Sequence, residues 1–164
     1  MTDRTDGPGQ ARWAEPQDLA ALPSVEASGD ALFAAAGIVF PPGPTVIEEL
    51  SESARVLVLG DPPVGFAALT TVDGLPYLEQ ISVHADHTGK GLGGVLLRAA
   101  IEESPSGLTL LTFRDIPWNG PWYRRFGFTD LPRAAWGPEL RAHWAAETAA
   151  GLHALGPRLA MRRA

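Results

Sequence analysis

The chain has 164 residues, 45% apolar and 20% charged, which is material for one soluble domain with a real core. Its 13 basic and 19 acidic residues give a formal charge of −6, which argues against nucleic acid as a bulk partner and is compatible with amine ligands. The lack of cysteine excludes disulfides, thiolate metal sites and a cysteine nucleophile, and no run approaches the ~20 apolar residues of a membrane span.

Residues 1–10 read as a disordered leader without a secretion signal, so the expected compartment is the cytoplasm, and a single domain is expected over residues 11–164. Ala11–Ala14 suggests a short first strand. A helical pattern begins at Pro16, Pro23 interrupts it, and Asp30–Ala36 reads as a second helical segment. Pro41–Pro44 is a loop, and Thr45 is placed to cap a short helix through Leu50. Arg55–Leu59, Val64–Val72 and Leu75–Val83 are strands joined by the turn signals Gly60-Asp61-Pro62-Pro63 and Asp73-Gly74, an antiparallel meander. A helix from Gly91 to about Glu103 leads to the strand Leu108–Phe113, which a crossover makes parallel to the strand before the helix. Asn119–Arg125 is a short helix, a strand lies near Thr129, and Arg158–Arg163 is the last strand. Residues 133–157 form a helical insertion whose main helix starts at Pro138. The fold class is α/β of the α+β type: a mixed, mostly antiparallel sheet flanked by helices.

Glu79–Ile101 organises the chain. Leu75, Tyr77, Ile81 and Val83 alternate as one strand face, with Glu79 on the same face, and after Gly91 the apolar residues take helical spacing. Glycines at the junction, ahead of a helix N-terminus, suit the close approach of a phosphate. Gly89-Lys90-Gly91-Leu92-Gly93-Gly94 also fits G-x-G-x-x-G, and Asp115 lies about 20 residues further on, as a ribose-binding acid would. A dinucleotide-dependent oxidoreductase is therefore a rival reading. Against it, His84–Thr88 separate the strand from the first glycine, and the preceding meander leaves no room for repeated βαβ units.

The stretch Val83-His84-Ala85-Asp86-His87-Thr88-Gly89-Lys90-Gly91-Leu92-Gly93-Gly94 resembles the acetyl-CoA loop of the GNAT superfamily of N-acetyltransferases. Gly91 and Gly93 match its glycines; Thr88 stands where Gln or Arg is usual and Ala85 where Pro is usual. A second element, Asn119-x-x-x-Tyr123 followed by Gly127-Phe128, comes in the family's order. The resemblance implies a GNAT-like sheet with the parallel pair at the cofactor site, acetyl-CoA as cosubstrate, and direct attack by an amine in a ternary complex. It implies cofactor contacts from Ile81, Ser82 and Val83, where the family's strand splays at a bulge, from Thr88, Gly89, Lys90, Gly91, Leu92, Gly93 and Gly94, and from Asn119, whose other reading is a helix cap. Tyr123 is the implied general acid. Glu79, a carboxylate expected among apolar neighbours, is the candidate general base.

Arg114, Trp118 and Trp122 follow the parallel strand and are candidate substrate-binding residues. The acceptor is expected to be a small-molecule amine, with no nucleic acid, membrane or metal ligand. The helical insertion either walls the acceptor pocket or makes a dimer contact, a homodimer being common in the family. A non-catalytic acyl-CoA-binding domain is the remaining alternative.

Overall fold

Seven strands form one sheet in the computed structural model, which describes residues 9–50 and 52–164. They are β1 (Arg12–Trp13), β2 (Arg55–Leu59), β3 (Gly65–Val72), β4 (Leu75–Val83), β5 (Leu108–Phe113), β6 (Thr129–Asp130) and β7 (Arg158–Arg163), and their order is β1-β2-β3-β4-β5-β7-β6. Residues 1–8, most of the expected leader, lie outside the described residues. Among the described residues only the β4–β5 pairing, bridged by helix α3 (Leu92–Glu102), is parallel. The mixed, mostly antiparallel sheet is the one expected from the sequence. A dinucleotide fold needs repeated parallel βαβ units, and one parallel pair among the described residues does not supply them. No helix among these residues is long and apolar enough to cross a membrane.

Each face of the sheet is covered by helices with an apolar stripe. Leu92, Leu96, Leu97 and Ala100 of α3 pack on Leu57, Leu59, Ala67, Leu69, Leu78, Leu108, Leu110 and Met161. On the opposite face, α1 (Leu22–Asp30) packs on Val58, Phe66 and Ala68. Pro23 lies in the first turn of α1 and opens the helix, because the missing N–H would have no intrahelical partner there. The expected interruption at Pro23 is thus a helix start, preceded by a 3-10 segment at Pro16–Ala21 and followed by another at Ala31–Ala36. The capping box of Thr45 and Glu48 opens α2 (Val46–Glu49), as expected. Buried Glu26 also accepts the N–H groups of Val46 and Ile47, at 2.6 and 2.9 Å, which ties α2 to α1.

The insertion is built from helices α5 (Pro138–Ala149) and α6 (Leu152–Leu155), after a 3-10 turn at Arg133–Ala135. Leu140 and Trp136 seat α5 on Val72, Tyr77 and Ala160. Its N-terminus is held from a distance. Asp73, in the β3–β4 turn with φ of 52°, accepts from Glu139 N at 2.8 Å and Leu140 N at 3.0 Å. Glu139 in turn accepts from Asp73 N at 2.7 Å. A residue read as a turn former therefore also caps a helix remote in sequence.

β4 does not keep its alternation. Ala68 pairs with Gln80 and Leu69 with Leu78, so Glu79 is an extra, unpaired residue opposite β3. The slip reverses side-chain parity: Tyr77 belongs to the α5 cluster, whereas Leu78, Ile81 and Val83 pack on the α3 side. The single face expected for Leu75, Tyr77, Ile81 and Val83 is therefore divided. The bulge expected at Ile81–Val83 lies earlier, at Glu79. β4 and β5 pair at one position, Tyr77 opposite Thr109, and the residues beyond it on both strands line a cleft.

Candidate active site

The cleft has a volume of about 1250 Å³ and runs through the opening between β4 and β5. The start of α3 and helix α4 (Gly120–Arg124) bound it on one face of the sheet. Helices α1, α2 and α5 bound it on the other.

On the α3 side, Thr88, Gly89, Gly91, Leu92, Gly93 and Gly94 line the cleft, while Lys90 does not. Gly91 caps α3 with φ of 77°, a left-handed conformation that glycine adopts without a Cβ clash. The first bond of the helix is Val95 N to Gly91 O, 3.2 Å, which leaves the N–H groups of Leu92, Gly93 and Gly94 without a helical partner at the positive end of the dipole. A Cβ on Gly93 would stand 3.4 Å from the Trp122 ring, so this glycine also lets α4 approach α3. Trp122 meets Phe126 in a tilted contact at 5.0 Å and Tyr123 edge-to-face at 5.1 Å, on the α3 side of the sheet. Ile81, Ser82 and Val83 pair with β3 but not with β5, and all three line the opening. These groups fit a cosubstrate with a phosphate and an extended amide-bearing arm.

Asn119 and Tyr123 stand at the same opening. Asn119 precedes α4 without capping it through its side chain; its Oδ1 accepts from Thr112 Oγ1 at 2.9 Å. Gly120 follows because a Cβ there would lie 2.5 Å from Arg114 O. Tyr123 is buried, 7% exposed, and its burial pushes the phenol above its ordinary pKa of 10, so it stays protonated.

Glu79 projects to the other face. Its Oε1 accepts from Thr70 Oγ1 at 2.8 Å and lies 3.2 Å from His143 Nε2. The apolar surroundings expected for this carboxylate are replaced by a hydroxyl and an imidazole, because the bulge points Glu79 toward α5. The other ring nitrogen of His143, Nδ1, lies 3.0 Å from Glu139 O. A carbonyl takes only a donor, so Nδ1 carries a proton, and Nε2 then meets the carboxylate best when protonated too. The bond to Glu79 is the largest cause that pushes His143 up to about 8, against the opposing effect of burial. The Glu139 carbonyl and the charges of Glu79 and Glu147 act with it.

The remaining candidates divide. Trp118 lines the cleft, whereas Arg114 does not; its guanidinium pairs with Asp115 at 3.0 Å through both Nε and Nη2. Further lining residues not singled out in the sequence include His143, Glu147, Arg158 and Phe33. Arg158 pairs with Glu147 and lies over the Phe113 ring at 4.4 Å. Leu140, His143, Trp144 and Glu147 recur at helical spacing, so their shared face was legible. That it lies over Glu79 depends on the bulge and the Asp73 cap.

Residues 52–130, from just before β2 to the end of β6, match the family model described as acetyltransferase (GNAT) domain. α5 and its His143 lie beyond the matched residues. Among solved structures the chain is similar to the ribosomal-protein-S18-alanine N-acetyltransferase from Escherichia coli, with 18% identity and a TM-score of 0.64 over 94% of this chain and 92% of that one. It is also similar to an acetyltransferase of the GNAT family from Staphylococcus aureus MU50, with 13% identity and a TM-score of 0.67 over 94% and 97% of the two chains. A third is the PaiA N-acetyltransferase from Thermoplasma acidophilum, solved in complex with coenzyme A, with 16% identity and a TM-score of 0.61 over 94% and 97%. At these identities the structures show a common fold. Residues 52–130 thus match an acetyltransferase (GNAT) domain, and the sheet with its parallel β4–β5 pair and the glycine loop opening α3 agree with the fold that the similar acetyltransferase structures share.

Proposed function

We propose that the protein is an N-acetyltransferase that moves the acetyl group of acetyl-CoA to a primary amine of a small-molecule acceptor, by direct attack in a ternary complex. Residues 11–164 act as its single catalytic domain. One observation carries the reading: a single cleft joins the glycine loop of α3, on one face of the sheet, to the Glu79–His143 pair on the other.

The pyrophosphate is seated on the free N–H groups of Leu92, Gly93 and Gly94, with Thr88, Gly89, Lys90 and Gly91 shaping the loop. Main-chain groups of Ile81, Ser82 and Val83 that β5 leaves unpaired bind the arm. Asn119, whose Oδ1 is taken by Thr112, offers its amide N–H groups to the same arm. The acetyl group is thereby held at the sheet opening, between Tyr123 and Glu79.

A lysine-like amine has a pKa of about 10.4, so the attacking nitrogen must shed a proton. The Glu79–His143 pair takes it. With Nδ1 bonded to Glu139 O, the pair lacks one proton when Glu79 is ionised and His143 neutral, and it gains that proton across the bond at Nε2. The imidazole is about a third exposed, which gives the proton a way out to water. As the new C–N bond forms and the C–S bond breaks, Tyr123 protonates the leaving sulfur; its burial keeps the phenol protonated until that step. α5 forms the acceptor wall through His143, Ala146 and Glu147.

Glu79→Gln tests the assignment, since it keeps the shape and removes the carboxylate that holds the accepted proton at Nε2 of His143. Turnover should fall by about 100-fold or more, with acetyl-CoA affinity unchanged by calorimetry. Wild-type turnover in this variant across pH would remove Glu79 from the mechanism.

A further inference from the structure

The acceptor half of the cleft has walls of a particular chemistry. Phe33 meets Phe40 at 5.2 Å, Phe113 at 5.9 Å and Trp118 at 5.5 Å between ring centroids, and Phe40 meets Phe113 at 6.3 Å. These rings come from the segment after α1, the loop before α2, the end of β5 and the loop before α4, and all four line the cleft. Trp118 and Leu32, which also lines it, each keep 39% of their surface exposed, apolar area that a ligand can cover.

The charges on this side are already committed or negative. Arg158 is held by Glu147 and stacked on Phe113, and His143 is held by Glu79. The C-terminal residues of α1 and α2 contribute Asp30 and Glu49 to the lining. A carboxylate on the acceptor would meet acids and, among the described residues lining the cleft, no uncommitted guanidinium. The hydroxyls of an amino sugar would be desolvated against rings that cannot hydrogen-bond. An ammonium suits the acidic rim, and a flat apolar group suits the rings.

From the juxtaposition of this ring cluster with the Glu79–His143 pair, we infer that the acceptor is an arylalkylamine, a primary amine joined by a short chain to an aromatic ring and bearing no carboxylate. The inference rests on the acetyltransferase reading and narrows it. The amine reaches Glu79 while its ring lies among Phe33, Phe40 and Trp118.

The experiment follows thiol release from acetyl-CoA with phenethylamine, tryptamine, phenylalanine and glucosamine, and measures acetyl-CoA binding in parallel by calorimetry. The kcat/KM for phenethylamine should exceed those for phenylalanine and glucosamine by about 100-fold, the range over which a pocket rejects a poorly matched polar group. Trp118→Ala, at an exposed position, should lower that kcat/KM by about 10-fold, mainly through KM, and leave acetyl-CoA affinity unchanged. Phe40→Leu, which keeps the bulk of the side chain, should do the same in smaller measure. A preference for phenylalanine or glucosamine, or an unchanged preference in both variants, overturns the inference. Acetyl-CoA binding without acetylation of either arylalkylamine overturns it while the cofactor reading stands; failure to bind acetyl-CoA removes both.

Discussion

Replacing His143 by Gln should change the pH dependence of stability, not only its level. The bond to Glu79 Oε1, 3.2 Å long, pushes the imidazole from 6.5 up to about 8. That displacement corresponds to roughly 2 kcal/mol. The His143 side chain is 35% exposed, and solvent screening brings the contribution down to about 1 kcal/mol. Because the folded value lies above the ordinary one, the contribution is complete below pH 6.5 and is lost as pH rises through about 8. Urea unfolding of wild type and His143→Gln at pH 6 and pH 9 measures it. The difference between the two proteins should be larger at the lower pH by about 1 kcal/mol, or about 2–4 °C in Tm. Titration of the His143 ring by NMR gives a second readout. In Glu79→Gln its pKa should drop toward 6.5, because the largest raising cause is gone while the opposing effect of burial stays. A stability difference that does not vary with pH, or a His143 titration indifferent to Glu79→Gln, would refute the pairing as the source of the shift.

Two other variants address how the site is assembled. Asp73→Ala removes the carboxylate that receives Glu139 N and Leu140 N, and should cost about 1 kcal/mol in chemical unfolding, as loss of an N-cap does. The same variant should lower kcat/KM more than it lowers acetyl-CoA affinity, because α5 carries His143 and not the cofactor loop; equal losses in both would count against the long-range cap as a device for placing His143. Tyr123→Phe retains the ring packing with Phe128 at 5.6 Å and deletes only the proton. Its kcat should fall by about 100-fold with KM for acetyl-CoA little changed, and a wild-type kcat would end its role as acid.

Much of the fold could be read because its elements are punctuated locally. β4, β5 and β7 have the bounds that Leu75–Val83, Leu108–Phe113 and Arg158–Arg163 suggest. Asp73-Gly74 adopts the left-handed pair of a tight hairpin, φ of 52° and 76°. The readings that changed depend on register or on distant partners. Pro23 looks like a breaker and is a helix opener, since either role uses the same missing N–H. The bulge at Glu79 leaves no mark in the alternation, because it is defined by what β3 presents opposite. It moves Ile81 and Val83 to one face and turns Glu79 to the other, toward an imidazole 64 residues further on. The glycine loop and the Asn119–Tyr123 motif are local and could be read as motifs, and both line the cleft proposed for the cosubstrate. The half of the cleft proposed for the acceptor is assembled from α1, α2, α5 and the end of β5, with no motif of its own.

The account depends most on the cosubstrate, and thermal unfolding with acetyl-CoA, CoA, NADH and NADPH tests it most directly. Acetyl-CoA at 100 times its dissociation constant should add about 2.7 kcal/mol to stability, and the nicotinamide cofactors should add nothing. Stabilisation by NADH or NADPH with none by acetyl-CoA would contradict the account and return Asp115 and the Gly89–Gly94 spacing to the centre of the problem.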